Sequence, residues 1–444
     1  MDLTRRHVLA GACGIASGAT AGCLSRFRPS DGGIPDEAVD ITDHGGDPTG
    51  EESILPALES AAEDAAAIYF PSGRYALGET WSVDGFRELS LFGPEATIVV
   101  DEGFESHLFH LHSRDRPASL RVEGLSFDLT APSTGGRVLD AQITDDLVVR
   151  DLSVTGTVDK GPNLFRFDVT DSDGEGLIER LSAPDGAAAG STISGCYIGN
   201  RNQGDIRFID CRIEGFPDNG LYADPPGGRM VVRGGYYANS GISNVRVRAG
   251  SLVENVHVRC DHSPEGFRNM RGIRLTNYAP DPDAPPAVVR DCTVEIIDAS
   301  SSDGAIELSS DLNAAEVYDT EIRIDVDTIH ALRAKAPTES VADSDSTTGF
   351  QCENVRITGS AANDSAVYIV DRDGSRFDNL CVHQTGQNRN GIELLRSNDN
   401  TVENSYFNIT GEPVVLREST SEITSLRTQP IEADSLALTG SDCG

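Results

Sequence analysis

Two rows of side chains carry the chemistry open to this chain. Seven short alternating segments, "NGLYAD", "SNVRVR", "RGIRLTN", "GAIELSS", "HALRAK", "AVYIVD" and "NGIELLR", place Leu221, Val245, Ile273, Ile306, Leu332, Val367 and Ile392 at equivalent apolar positions. In a strand the residue after each of these faces the opposite way. That second row reads Tyr222, Arg246, Arg274, Glu307, Arg333, Tyr368 and Glu393; two residues further stand Asp224, Arg248 and Thr276, and the turns just ahead carry Asp218, Asn219 and Asn244. Arginine forks hold carboxylate or sulfate through paired hydrogen bonds, and tyrosine rings offer apolar faces for a sugar. The pattern predicts an acidic-glycan surface contacted by Tyr222, Asn244 and Arg274. As a catalytic site it would use Arg246 or Arg248 as the base of an elimination, oriented by Asp224, or Asp218 and Asp224 as acid and base of a hydrolysis. The competing expectation is a cross-strand ladder of charge pairs that serves the fold alone.

Other constellations carry less. His257, Asp261 and His262 share a strand end, a spacing that more often decorates a surface than holds a metal. Asp145 and Asp146 alternate direction along a strand and cannot present two carboxylates to one bond. No CxxC or histidine-rich spacing suggests zinc. Carboxylates are plentiful enough for calcium, yet no ligand spacing points to it, so no metal site or cofactor is assigned.

Rows of this kind need many short strands in register, and the sequence supplies them as a repeat. A pattern of two strand-forming residues, a charged residue and then Asp, Asn or Gly recurs as "VVRD" at 148, "VVRG" at 231, "LVEN" at 252, "QCEN" at 351 and "TVEN" at 401. From Gly234 the last position falls at Asn255, Asp291, Asp319, Asn354, Asn379 and Asn404, in steps of 21, 36, 28, 35, 25 and 25. Each anchor is followed by one of the seven alternating runs, so a repeat reads as strand, turn, strand. Such units bury their apolar side only by stacking, coil on coil. Uneven steps exclude a helical solenoid and disfavour a propeller; a β-sandwich is the alternative fold. The insertions "DPDAPP" at 281–286 and "SVADSDSTTG" at 340–349 are loops able to wall a groove.

Upstream of the repeat, "GGDPTG" at 45–50, an amphipathic stretch from about Ser53 to Ala66 and "YFPSGRY" at 69–75 follow in order. Ile54, Leu58 and Ala62 share one face of that helix, able to cover the open end of a first coil. This arrangement resembles the N-terminal portion of the pectate-lyase-like superfamily, whose fold is a right-handed parallel β-helix. The resemblance implies that fold, all-β with a short capping helix, and no particular reaction. The superfamily's Gly-His-Gly and Asn-Thr-Asp motifs are missing, and "RDRPASLR" at 114–121 departs from its Arg-Pro-Arg motif because Arg116 abuts Pro117. Taken whole, the chain also resembles exported β-helix proteins of halophilic archaea.

The charge balance agrees with that last likeness. Among 444 residues, 71 Asp and Glu face 36 Lys and Arg, for a formal charge of -35. Lys160 and Lys335 are the only lysines. A field of this sign repels nucleic acid and anionic lipid, and its spread along the chain suits a surface solvated in concentrated salt.

The start, "MDLTRRHVLAGACGIASGATAGC", reads as an address. Arg5 and Arg6 before a weakly apolar stretch resemble a twin-arginine export signal, and "TAGC" resembles a lipobox in which Cys23 takes the lipid. The expected organisation is a signal at 1–22, a tether at 23–40, the β-helix at 41–420 and a tail at 421–444. The remaining cysteines are expected to be mostly buried thiols. The reading is an exported, lipid-anchored surface protein whose membrane contact is the anchor alone. It binds an acidic polysaccharide or envelope glycan and cleaves it by lyase or hydrolase chemistry; the alternative is a non-catalytic glycan-binding or cell-envelope module.

Overall fold

A computed structural model describes residues 33–278, 283–342 and 349–429. Arg5, Arg6, Cys23 and Cys443 lie outside the described residues, as do 281–282 and 343–348 of the two insertions. The chain divides after Asp36, and the fold described here begins at Glu37.

Three parallel sheets of 15, 14 and 13 strands account for that fold. The chain crosses the first sheet, turns into the second, crosses the third and returns one rung further on. The architecture is an all-β parallel β-helix. Its bends explain the repeat. At Asp151, Asp210, Gly234, Asn255, Asp291, Asp319, Asn354, Asn379 and Asn404 the backbone is left-handed, with φ between 46° and 64°. A single left-handed residue turns the chain from first sheet to second, and Asn, Asp and Gly tolerate it best. The anchors are thus backbone devices, and asparagine side chains also link successive bends: Asn379 Nδ2 donates to Asn354 Oδ1 at 2.8 Å and Asn354 Nδ2 to Asp319 Oδ1 at 2.9 Å.

Each coil has three strands where the sequence suggested two. The extra element is the three- or four-residue second-sheet strand just past each bend, such as Arg212–Glu214 or Tyr236–Ala238. A segment this short has too few alternations for its period to be read. The third-sheet register is as expected: Leu221 pairs with Val245, then Ile273, Ile306, Leu332, Val367 and Ile392, and all seven are fully buried.

The cap forms from Leu55 to Asp64, with Ile54, Ala57, Leu58 and Ala61 buried and Ala62 partly buried. Asp47 holds the turn before it, accepting from the main-chain N–H of Thr49, Glu51 and Glu52. These bonds lower its carboxyl to about 2, the Thr49 N–H most of all. Gly73 of the hairpin leans on that turn, since a Cβ there would come within 2.7 Å of Pro48. Val39 and Asp40, expected in the tether, already pair with Ile68 and Tyr69. At the other end Ser421–Thr424 and Arg427–Thr428 continue the first and second sheets past 420. Cys196, Cys211, Cys260, Cys292 and Cys352 are buried free thiols, whereas Cys381 is disulfide-bonded. Among the described residues no helix is long and apolar enough to cross a membrane.

Candidate functional site: a charged aromatic ladder on the third sheet

The outward row of the third sheet is longer than the sequence suggested. Tyr222 pairs forward with Arg246, Arg274, Glu307 and Arg333, and backward with Tyr197, Arg166 and Asp140. Neighbouring rungs are about 4.8 Å apart, so each side chain touches the next.

At the centre, Arg246 lies over the Tyr222 ring at 4.2 Å and donates to Asp224 Oδ2 at 2.8 Å. The Asp224 side chain is fully buried, and burial raises its carboxyl above the ordinary range although Arg246 works the other way. Its second oxygen accepts the Tyr278 N–H at 3.0 Å. That bond holds Tyr278, a residue 62% exposed, beside the ladder. Tyr197 and Tyr222 meet edge to face at 5.3 Å, and burial raises both phenols. The Nε–H of Arg246 is buried without a hydrogen-bond partner.

Further along, Glu307 is fully buried among cations: Arg271 Nε donates to it, Lys335 Nζ stands at 3.3 Å and Arg274 Nε at 3.7 Å. Asp303 receives Arg271, Arg333 and Lys335 at 2.5, 2.9 and 2.6 Å and is held well below the usual carboxylate range, against the cost of its burial. Arg274 also donates to Ser309 Oγ at 3.1 Å, and burial lowers its guanidinium. On the four rungs from Arg246 to Arg333, Arg246, Arg248, Arg274, Arg333 and Lys335 stand among the carboxylates Asp224, Asp303 and Glu307. Cations thus gather on this face of a strongly acidic chain.

Of the residues singled out from sequence, Tyr222, Asp224, Arg246, Arg248 and Arg274 occupy one face of three successive rungs. Arg248 donates to the Gly228 carbonyl at 2.9 Å. Asn244 does not join them. It is fully buried, accepts from Ser240 N at 3.0 Å and donates to Arg271 O at 2.9 Å, which makes it a turn brace. Asp218 accepts from Ser194 Oγ and Asn219 Nδ2 at 2.9 and 3.0 Å. The whole strand Asn219–Ala223 separates it from Asp224. Six residues of strand span about 20 Å, too far for the acid and base of one glycosidic bond. An elimination base at Arg246 is disfavoured too, because its guanidinium is held in an ion pair with the buried Asp224 carboxylate. His257 pairs with Glu295 at 2.9 Å and Asp261 with Arg259 at 2.7 Å, so the strand-end trio forms no common ligand group.

Three features escaped the sequence reading. Tyr278 stands in a loop, where strand periodicity says nothing. Asp168 is buried under Arg166, which donates to it at 2.7 and 3.0 Å, while its Oδ1 has no partner; burial raises it to about 6. Gly199 lies against this carboxylate, where a Cβ would fall 2.5 Å from both oxygens. The third is the run His107-Leu-Phe-His110-Leu-His112, whose i, i+2 histidine pair is its signal in the sequence. A separate cavity of about 640 Å³ lies on the first sheet, walled by Asp283 to Pro286 of the first insertion and floored by Glu316, Gln351, Arg376 and Thr401.

These features define a parallel β-helix that carries a cationic, tyrosine-bearing ladder on one face. No family model and no curated protein matches the chain. Among solved structures it is similar to the Streptococcus pneumoniae surface protein and adhesin PfbA, at 12% identity and TM-score 0.40 over 88% of this chain and 100% of that one. It is also similar to the A-module of the Azotobacter vinelandii mannuronan C-5 epimerase AlgE4, at 9% and 0.43 over 90% and 100%. The catalytic domain of a GH87 alpha-1,3-glucanase in complex with nigerose shares 13% identity, with TM-score 0.49 over 83% and 68%.

Proposed function

We propose that the third-sheet face from Tyr197 to Arg333 binds an acidic polysaccharide, as a recognition surface rather than a cleavage site. The observation that supports this is Tyr278, an exposed ring anchored through its own N–H to Asp224 beside Arg246 and Arg274. A sugar ring stacked on Tyr278 brings its carboxylate or sulfate to the partly exposed guanidinium groups of Arg246 and Arg274. The Asp224–Arg246 pair holds both the loop and the cation in place.

A second reading, cleavage, is favoured by one observation: Asp168, with its carboxyl raised to about 6, could carry a proton near neutrality. It would act only if a bound chain displaced Arg166 from it.

We further propose that the protein is exported and lipid-anchored, as the Arg5–Arg6 pair and Cys23 suggest. Arg5→Lys with Arg6→Lys should stop export, and Cys23→Ser should release mature protein to the medium.

The binding test is a panel of uronate-containing, sulfated and neutral polysaccharides, measured by calorimetry with wild type and Tyr278→Ala. Retention of acidic polymers only, weakened at least tenfold by Tyr278→Ala with the melting temperature unchanged, is expected. Equal binding of neutral polymers, or a Tyr278→Ala variant as strong as wild type, would refute the recognition surface. Appearance of reducing ends or unsaturated product, abolished by Asp168→Asn, would replace it with the cleavage reading.

A further inference from the structure

We propose that His110, His112 and Asp140 form a binding site for one divalent transition-metal ion of borderline softness, such as zinc or cobalt. His110 and His112 stand two residues apart on the strand His107–Ser113, and Asp140 lies opposite His110 on the next rung. One ligand atom from each of the three lies within 4.8 Å of the others. His112 Nε2 and Asp140 Oδ1 are 3.0 Å apart, and the two imidazole centroids 3.8 Å. Ligands sharing one zinc ion at bonds near 2.1 Å sit on the order of 3.4 Å from each other, so small side-chain rotations close the site.

The donors are also oriented from behind, as metal ligands usually are. His110 Nδ1 stands 3.2 Å from Ser82 Oγ. Asp140 accepts Gln142 Nε2 on Oδ1 at 3.1 Å and Arg137 Nη1 on Oδ2 at 2.5 Å. An ion would replace the His112 hydrogen bond on Oδ1, with the ring proton moving to Nδ1, while Arg137 keeps Oδ2. Two imidazoles and one carboxylate leave at least one coordination position open. The Arg137 cation opposes a second positive charge nearby, which sets the expected affinity below that of closed structural zinc sites. Asp140 lies two rungs from Tyr197, the near edge of the proposed glycan surface, on the order of 10 Å.

The experiment titrates metal-free, untagged protein with cobalt(II), reading visible absorbance, and with zinc(II) by calorimetry. Acidic surface groups bind such ions weakly and in number, so the expected signature is one saturable equivalent with the spectrum of nitrogen-ligated cobalt. His110→Ala and Asp140→Asn should each weaken it at least tenfold, and His257→Ala should leave it unchanged. Proton NMR of the wild type needs no variant: cobalt should broaden the His110 and His112 ring signals before that of His257. Absence of a saturable equivalent, unchanged affinity in folded His110→Ala, or uniform broadening of all histidines would each overturn the proposal.

Discussion

The Arg246 guanidinium lies 4.2 Å above the Tyr222 ring, and the same guanidinium neutralises the fully buried Asp224 carboxylate. This changes how the ladder can be tested. An outward arginine with no buried partner would lose ligand binding but little stability on replacement by alanine. With Asp224 beneath it, the substitution strands a buried charge, an effect worth about 3 kcal/mol. Denaturant unfolding should therefore show that loss for Arg246→Ala, and Arg246→Met with Asp224→Leu should recover much of it. A single variant within about 1 kcal/mol of wild type would mean that the pair is dispensable.

Asp168 should give the protein a measurable pH signature. Its folded-state carboxyl, raised to about 6 from 3.8, holds a proton more tightly than in the unfolded chain. The contribution is therefore least unfavourable below pH 3.8, and stability is lost as pH rises from there through about 6. Two pK units correspond to at most about 3 kcal/mol. Asp168→Asn mimics the protonated form, so its melting temperature relative to wild type should climb between pH 4 and pH 7. A difference that stays flat over that range would show that Asp168 ionises normally.

Much of the fold was legible because the anchors and the inward row each have one physical cause. Asn354, Asn379 and Asn404 recur because a one-residue bend needs a left-handed backbone; Val245, Ile273 and Ile306 recur because each caps the next in the core. The outward row followed by parity, which placed Tyr222, Arg246 and Arg274 together. Parity could not tell which members were already spoken for. Asn244 has the outward parity on the strand Ser243–Val247 and is nonetheless fully buried, while Arg271, at the inward parity, reaches Asp303 and Glu307. Tyr278 is placed by its N–H bond to Asp224, a contact 54 residues apart that no local pattern encodes.

The bends predict an order of substitutions. Asn379 has φ of 53° and donates to Asn354. Gly keeps the left-handed backbone and loses only the exposed side-chain bond, whereas Ala adds a strain of about 1 kcal/mol and a β-branched residue adds more. Thermal unfolding should rank Asn379 and Asn379→Gly above Asn379→Ala, and Asn379→Val lowest. If Asn379→Val melts with wild type, the bend does not require a left-handed residue.

Arg372 offers the sharpest test of how the coils are held together. Its side chain is fully buried and donates to four main-chain carbonyls: Lys335 at 2.5 Å, Leu312 at 2.9 Å, Asn313 at 2.7 Å and Ser309 at 2.8 Å. Burial lowers its guanidinium to about 9, so it remains charged at neutral pH. The turns around residues 309–313 and 335 therefore take their hydrogen bonds from a side chain on a later coil. Arg372→Met fills similar volume but leaves those carbonyls unsatisfied, at about 1–3 kcal/mol for each one that water cannot reach. A loss of roughly 4 kcal/mol or more is expected in denaturant unfolding. Arg372→Lys, with three donors and no planar fork, should restore less than half of it. A melting curve for Arg372→Met that overlays wild type would show that water can take over the four carbonyls.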